Sequence, residues 1–206
     1  MADRQTQPSL DRRIRRTQQL ITEAFLSLCQ EKDYEEIIIK DITEQANVNR
    51  STFYAHYQDK DDLLSSLMND MLSKLGSLPF LPQDQASAYV PDNEKPDPYF
   101  LHLFEHLAGN AVFYRVMLGR MPAPGFADRM TEVIRESFYR RISAIRNDQK
   151  LLIPLELLLD YTSHSTMGII TKWLAQQMIY SPHHMSLQLT RLSLLGVYRA
   201  MGMEEH

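Results

Sequence analysis

The chain has 206 residues, 44% hydrophobic and 23% charged, with a net charge of −4 and one cysteine. That length and apolar content suffice for one or two domains with a packed core. They exclude a disordered acidic chain and a uniformly basic, histone-like one, although a basic footprint for nucleic acid need cover only one face.

A single cysteine rules out an intramolecular disulfide and fits a reducing cytoplasm, the expected location. Cys29 falls on the apolar side of a predicted helix and reads as a small buried hydrophobe rather than a redox sensor. No apolar segment follows the polar N-terminus, so no secretory signal is expected. No apolar run approaches the ~18 residues that cross a bilayer.

Only 7 glycines are present, and apolar residues recur at helical spacing without sustained alternation, so the expected fold class is all-α. The first helix is expected from about Asp11 to Glu31, with Ile14, Ile21, Phe25 and Leu28 on one stripe and Arg12, Arg13, Arg15 and Arg16 near its start. A short helix follows from about Ile39 to Ala46, then a tight Asn47-Val48-Asn49 connection, then a third helix from about Arg50 to Tyr57. Asp59 is the expected N-cap of a fourth helix, with Asp62 in the position of a capping-box carboxylate.

Residues 76–98 hold five of the chain's 10 prolines and are expected to form a mobile loop. Helices are then expected over 99–107, 111–118, 126–145 and within 151–179. Ser181-Pro182 marks the start of a last helix, with serine as N-cap and proline at the first helical position.

The stretch from Ile37 to Lys60 carries the functional signal. Two short helices three residues apart, the second rich in polar and aromatic groups, have helix-turn-helix spacing. Asn47 is a non-glycine residue that tolerates the left-handed backbone such a turn needs, and Asn49 is an expected N-cap. On the third helix Phe53 and Tyr57 can face inward together, leaving Arg50, Ser51, Thr52, Tyr54 and His56 outward. Arginine can reach phosphate or guanine, the hydroxyls can bond bases or phosphate, and Tyr54 can donate to a phosphate oxygen. Lys60 stands where the next helix opens, a place suited to phosphate. The arginines of 12–16 are either a solvated helix end or a phosphate and minor-groove contact.

From Arg12 to Leu75 the chain resembles the DNA-binding domain of the TetR family of bacterial regulators. The resemblance rests on Phe25-Leu26-Ser27-Leu28, Tyr34, Asp41-Ile42, Ala46-Asn47-Val48, Thr52-Phe53-Tyr54, His56-Tyr57, Asp59-Lys60 and Leu63-Leu64. It implies a helix-turn-helix domain over 1–58 and a helical regulatory and dimerisation domain over 59–206. It also implies a homodimer on a palindromic double-stranded operator, most simply a repressor, released by a small-molecule effector in some members. No cofactor is implied. Carried over by position, DNA contacts fall on Arg50, Ser51, Thr52, Tyr54, His56 and Lys60, with Thr43 as a backbone contact. Asp33, Ile38 and Asn47 depart from the family pattern, which has glycine, threonine and glycine there.

The segment from Trp173 to Met185 resembles the end of the regulatory domain in one TetR-like subgroup. In that frame the last two helices pair with a second copy, and Leu187, Arg191, Leu194 and Tyr198 are expected at the interface, with the small residues Ser165 and Gly168 permitting close approach. Phe100, Phe104, Tyr114, Met117, Met121, Met167 and Trp173 could wall an effector pocket or simply fill the core. His102-Leu-Phe-Glu105-His106 matches an inverted-zincin pattern, but no third ligand is signalled, so no enzyme is expected. The alternative from another class is a helical coactivator or adaptor that binds protein with the same fold.

Overall fold

The computed structural model describes residues 7–79, 92–120, 123, 125–145 and 151–200, and among these the regular elements are all helical. In order they are α1 (Gln7–Glu31), a 3₁₀ turn (Tyr34–Glu36), α2 (Ile39–Gln45), α3 (Arg50–Tyr54), α4 (Lys60–Gly76), α5 (Pro98–Gly109), α6 (Ala111–Arg115), a π turn (Val116–Arg120), α7 (Phe126–Ile145), α8 (Leu155–Ala175) and α9 (Pro182–Ala200). Most of the expected loop at 76–98 lies outside the described residues.

The first helices close around Ile21, Phe25, Leu28, Cys29, Ile37, Ile42 and Phe53, each at most 5% exposed. Burial raises the Cys29 thiol to about 11, which keeps it protonated and unreactive near neutrality. The apolar stripe of α1 starts later than expected, because Ile14 is 37% exposed. The N-terminal turns of α1 therefore project beyond the core, carrying exposed Arg12, Arg13, Arg15 and Arg16.

Local signals set the helix boundaries. Asp59 accepts from the Asp62 N–H at 2.8 Å and opens α4. The reciprocal carboxylate bond goes one residue further out than a capping box, from the Gln58 N–H to Asp62 at 2.9 Å. Asp97 accepts from the Tyr99 N–H at 2.9 Å, with Pro98 in the first helical position of α5. Ser181 caps α9 through the His184 N–H at 3.2 Å, as its Ser-Pro pair predicts.

α4 links the first three helices, the head, to the helices from α5 onward, the body. Its Leu63 and Leu67 are buried in the shared core, and its C-terminal half lies on α7. Arg129 donates to Asn69 at 2.6 Å, and Arg140 donates to the Gly76 carbonyl at 2.6 Å, satisfying an end carbonyl of α4. In the body α5 packs on α9 and α7 on α8. The π turn reaches back to touch α1. Among the described residues no helix is long and apolar enough to cross a membrane.

Candidate nucleic-acid interface

The turn between α2 and α3 is built as its sequence requires. Asn47 adopts φ 51°, and the Val48 N–H returns to the Thr43 carbonyl at 3.0 Å. α2 begins without a threonine. The Ile38 N–H instead donates to Asp41 at 3.3 Å, and Lys32 lies 3.2 Å from the same carboxylate. These two contacts hold the Asp41 carboxyl below its usual range, the bond from Ile38 contributing most. Asp33 has φ −69°, so the chain leaves α1 in extended backbone and no left-handed cap is needed. Asn49 stands at the N-cap of α3 in extended backbone, but its side chain makes no capping bond.

α3 is shorter than expected. His56 donates to the Phe53 carbonyl at 2.9 Å, so the end tightens into a turn after Tyr54. Phe53 is fully buried and anchors the helix, with the rings of Tyr54 and Tyr57 each 5.7 Å away. Arg50, Ser51 and Tyr54 are exposed, while Thr52 and His56 are half-buried. Tyr54 is 56% exposed although Phe53 beside it is not, so an aromatic ring is held outward on a rigid support.

Two expected contacts sit differently. Thr43 is 4% exposed, and its hydroxyl donates to the Lys40 carbonyl at 3.0 Å. A side chain so placed packs α2 and offers little surface to a phosphate; Lys40 is exposed on the same helix. Lys60 is also engaged internally. Its ammonium donates to the Tyr34 carbonyl at 2.6 Å and lies 4.2 Å from the Tyr34 ring centroid, while the Tyr34 hydroxyl donates to Asp61. It braces the 3₁₀ turn against α4, which leaves only part of its donor capacity for an outside anion.

Residues 21–67 match the model "Bacterial regulatory proteins, tetR family", and residues 94–194 match "Transcriptional regulator C-terminal region" of the same family. The chain belongs to the TetR family of transcriptional regulators. A TetR transcriptional regulator of known structure from Streptococcus agalactiae is similar over 91% of this chain and 98% of its own, at 27% identity and a TM-score of 0.59. Two curated relatives match in sequence. The uncharacterized HTH-type transcriptional regulator YxbF of Bacillus subtilis is 42% identical over 67 residues, which is 32% of this chain and 18% of that protein. The dhaKLM operon transcriptional activator DhaS of Lactococcus lactis is 31% identical over 99 residues, 48% of this chain and 47% of that protein. The chain thus spans less than half the length of the curated relatives it matches.

Family membership sets the enzyme reading aside. The imidazoles of the zincin-like pattern also turn to different partners, His102 Nδ1 to the Pro79 carbonyl at 3.0 Å and His106 Nε2 to the Tyr114 hydroxyl at 2.8 Å.

The residues expected around an effector are mostly core in this TetR-family chain. Phe104 and Trp173 pack edge to face at 5.1 Å, and Tyr114 lies on Phe113, Phe126 and His106. Met117 and Met167 are at most 9% exposed, and Met121 lies outside the described residues. Of the set, Phe100 alone lines the cavity described below. Among residues expected at a dimer interface, Leu194 is 40% exposed and Leu187 half-buried. Arg191 donates to the Asn93 carbonyl at 3.0 Å within the chain, and the Tyr198 side chain lies outside the described residues.

Proposed function

We propose that the chain is a homodimer that binds a palindromic operator through α3 and represses transcription from it. The observation that carries this reading is the outward presentation of Arg50, Ser51 and Tyr54 on a helix fixed from beneath by buried Phe53. Residues 1–58 serve as the DNA-binding head and 59–206 as the regulatory body. The exposed arginines of α1 approach the flanking phosphate backbone.

Exposed apolar residues on the last two helices support a dimer. Leu157 and Tyr161 on α8 are 59% and 61% exposed, and Leu192 and Leu194 on α9 are 43% and 40% exposed. In such a dimer the two α3 helices enter successive major grooves about 34–36 Å apart. An effector that binds the state with the wrong spacing lowers operator affinity by its differential affinity for that state. A second reading, activation, is favoured by the 31% identity to a protein named as an activator.

Binding to the DNA flanking the chain's own gene tests the proposal. Expected are a strong salt dependence and a loss of about 1–3 kcal/mol in Arg50→Ala and Tyr54→Ala, with thermal melting unchanged. Transcript levels after deletion of the gene then separate repressor from activator. A well-folded dimer that selects no DNA fragment from the whole genome would sink the DNA-binding reading and leave a protein-binding adaptor.

A further inference from the structure

A cavity of about 380 Å³ lies between α5, α7, α8 and α9, within the roughly 300–1,000 Å³ range of small-molecule sites. Its walls are mainly apolar, with Phe100, Phe138, Leu158, Ile169 and Leu189 among them, and it is also lined by Tyr161, Leu192 and Leu194 of the surface proposed for the dimer. Its charged lining residues are Asp97 and Arg141, a buried ion pair whose side chains are 6% and 12% exposed.

The two charges are not equally satisfied. Asp97 accepts from Arg141 and from the Tyr99 N–H, and it also faces the positive end of the α5 dipole. The Arg141 guanidinium lies 5.1, 5.4 and 5.9 Å from the ring centroids of Tyr99, Phe100 and Phe138. Its Nε is buried and has no hydrogen-bond partner among the described residues. A buried donor on a cation that finds no acceptor costs stability and calls for an explanation. One carboxylate therefore meets a guanidinium, a backbone N–H and a helix N-terminus, while the Arg141 Nε–H is left without an acceptor in an apolar surround.

We propose that this cavity binds a small amphipathic carboxylate, with the anionic group on Arg141 and the apolar part against Phe138, Leu158 and Ile169. This rests on the regulatory reading above and names the class of its effector. A ligand carboxylate competes with Asp97 for the guanidinium. Asp97 is the N-cap of α5, its own N–H donates to Thr190 of α9 at 2.8 Å, and Arg141 belongs to α7. The ligand thus acts on the joint of three helices. One of them, α7, also holds α4 through Arg129 and Arg140.

The test is calorimetric titration of the full-length protein with octanoate and 4-phenylbutyrate, against 1-octanol and octylamine. The carboxylates should bind about tenfold or more tightly than the alcohol or the amine, and Arg141→Met should lose about that factor. Asp97→Asn keeps a capping side chain and releases the guanidinium, so it should bind carboxylate more tightly than the native protein. Thr162→Trp, which crowds the apolar part of the cavity and leaves both members of the ion pair unsubstituted, should weaken binding about tenfold or more and covers the case that an ion-pair variant fails to fold. Equal binding of the four probes, no carboxylate binding at millimolar concentration, or full retention in Arg141→Met would overturn the proposal. Binding seen only as the dimer dissociates would assign the cavity to side chains of a second copy and would overturn it as well. Operator binding measured on the same samples separates the two readings: intact operator binding without carboxylate binding fails this inference alone.

Discussion

The head and the body of this regulator place their chemistry on opposite sides of the core. In the head, the groups proposed to meet DNA stand outside on α3, and the core beneath them is largely apolar, with Phe53 and Ile42 fully buried. In the body, the charged pair Asp97–Arg141 lies inside, among rings, beside a cavity. A surface that reads DNA needs a rigid support and little else. A site that answers a ligand needs buried polar groups whose partners can change, and the proposed one is built on such a pair, Asp97–Arg141.

Phe53→Ala should give the largest effect. Truncating a fully buried phenylalanine costs about 3–5 kcal/mol. The head should then melt first and operator binding should vanish, while near-ultraviolet dichroism from Trp173 in the body persists. Simultaneous loss of the Trp173 signal would show that α4 and the contact of the π turn with α1 make one cooperative unit. A smaller change tests Lys60, whose ammonium is engaged within the chain at the start of α4. Lys60→Met leaves the Tyr34 carbonyl with only the Ile37 N–H, at 3.2 Å, and should cost about 0.5–1.5 kcal/mol in urea unfolding. Operator affinity should fall less in this variant than in Arg50→Ala. The reverse order would restore Lys60 as a phosphate contact.

The features legible in the sequence were those decided within a few residues. Asn47 in its left-handed turn, Asp59 as cap, and the Ser181-Pro182 start all follow from local backbone chemistry. Phe53 and Tyr54 divide between core and solvent as helical spacing requires. What spacing could not give was decided by partners distant in the chain. Arg141 carries no sequence signal of its own, because its partner Asp97 lies 44 residues away in the chain. Lys60 reads as free until the Tyr34 carbonyl, 26 residues earlier, is brought to its ammonium. Thr43 looks like a surface hydroxyl until α2 packs it away. The aromatic set around Phe104 and Trp173 forms core because its members fit one another edge to face, and the cavity opened instead where smaller residues of α8 and α9 meet the ion pair. Asp97-Pro98, an aspartate cap followed by proline, was the available signal there; it reads as the end of the loop, and it says nothing of the aspartate's second partner.

The smallest predicted effect lies in the body and concerns His106, at the corner of α5 and α6. Its Nε2 is 2.8 Å from the Tyr114 hydroxyl, and Tyr114 is fully buried. Burial holds the imidazole below its ordinary value, and the nearby Lys74 ammonium pushes in the same direction. A base whose value is depressed on folding binds its proton more readily in the unfolded chain, so protonation favours unfolding. The stabilisation is present above the ordinary histidine value and is lost as pH falls through that value toward the lower folded one. Melting temperatures measured from pH 8 down to pH 5 should therefore drop more steeply in the native protein than in His106→Gln, which keeps a hydrogen-bonding side chain but has no proton to gain. Equal slopes would remove His106 from the body's pH response and leave that response to other groups.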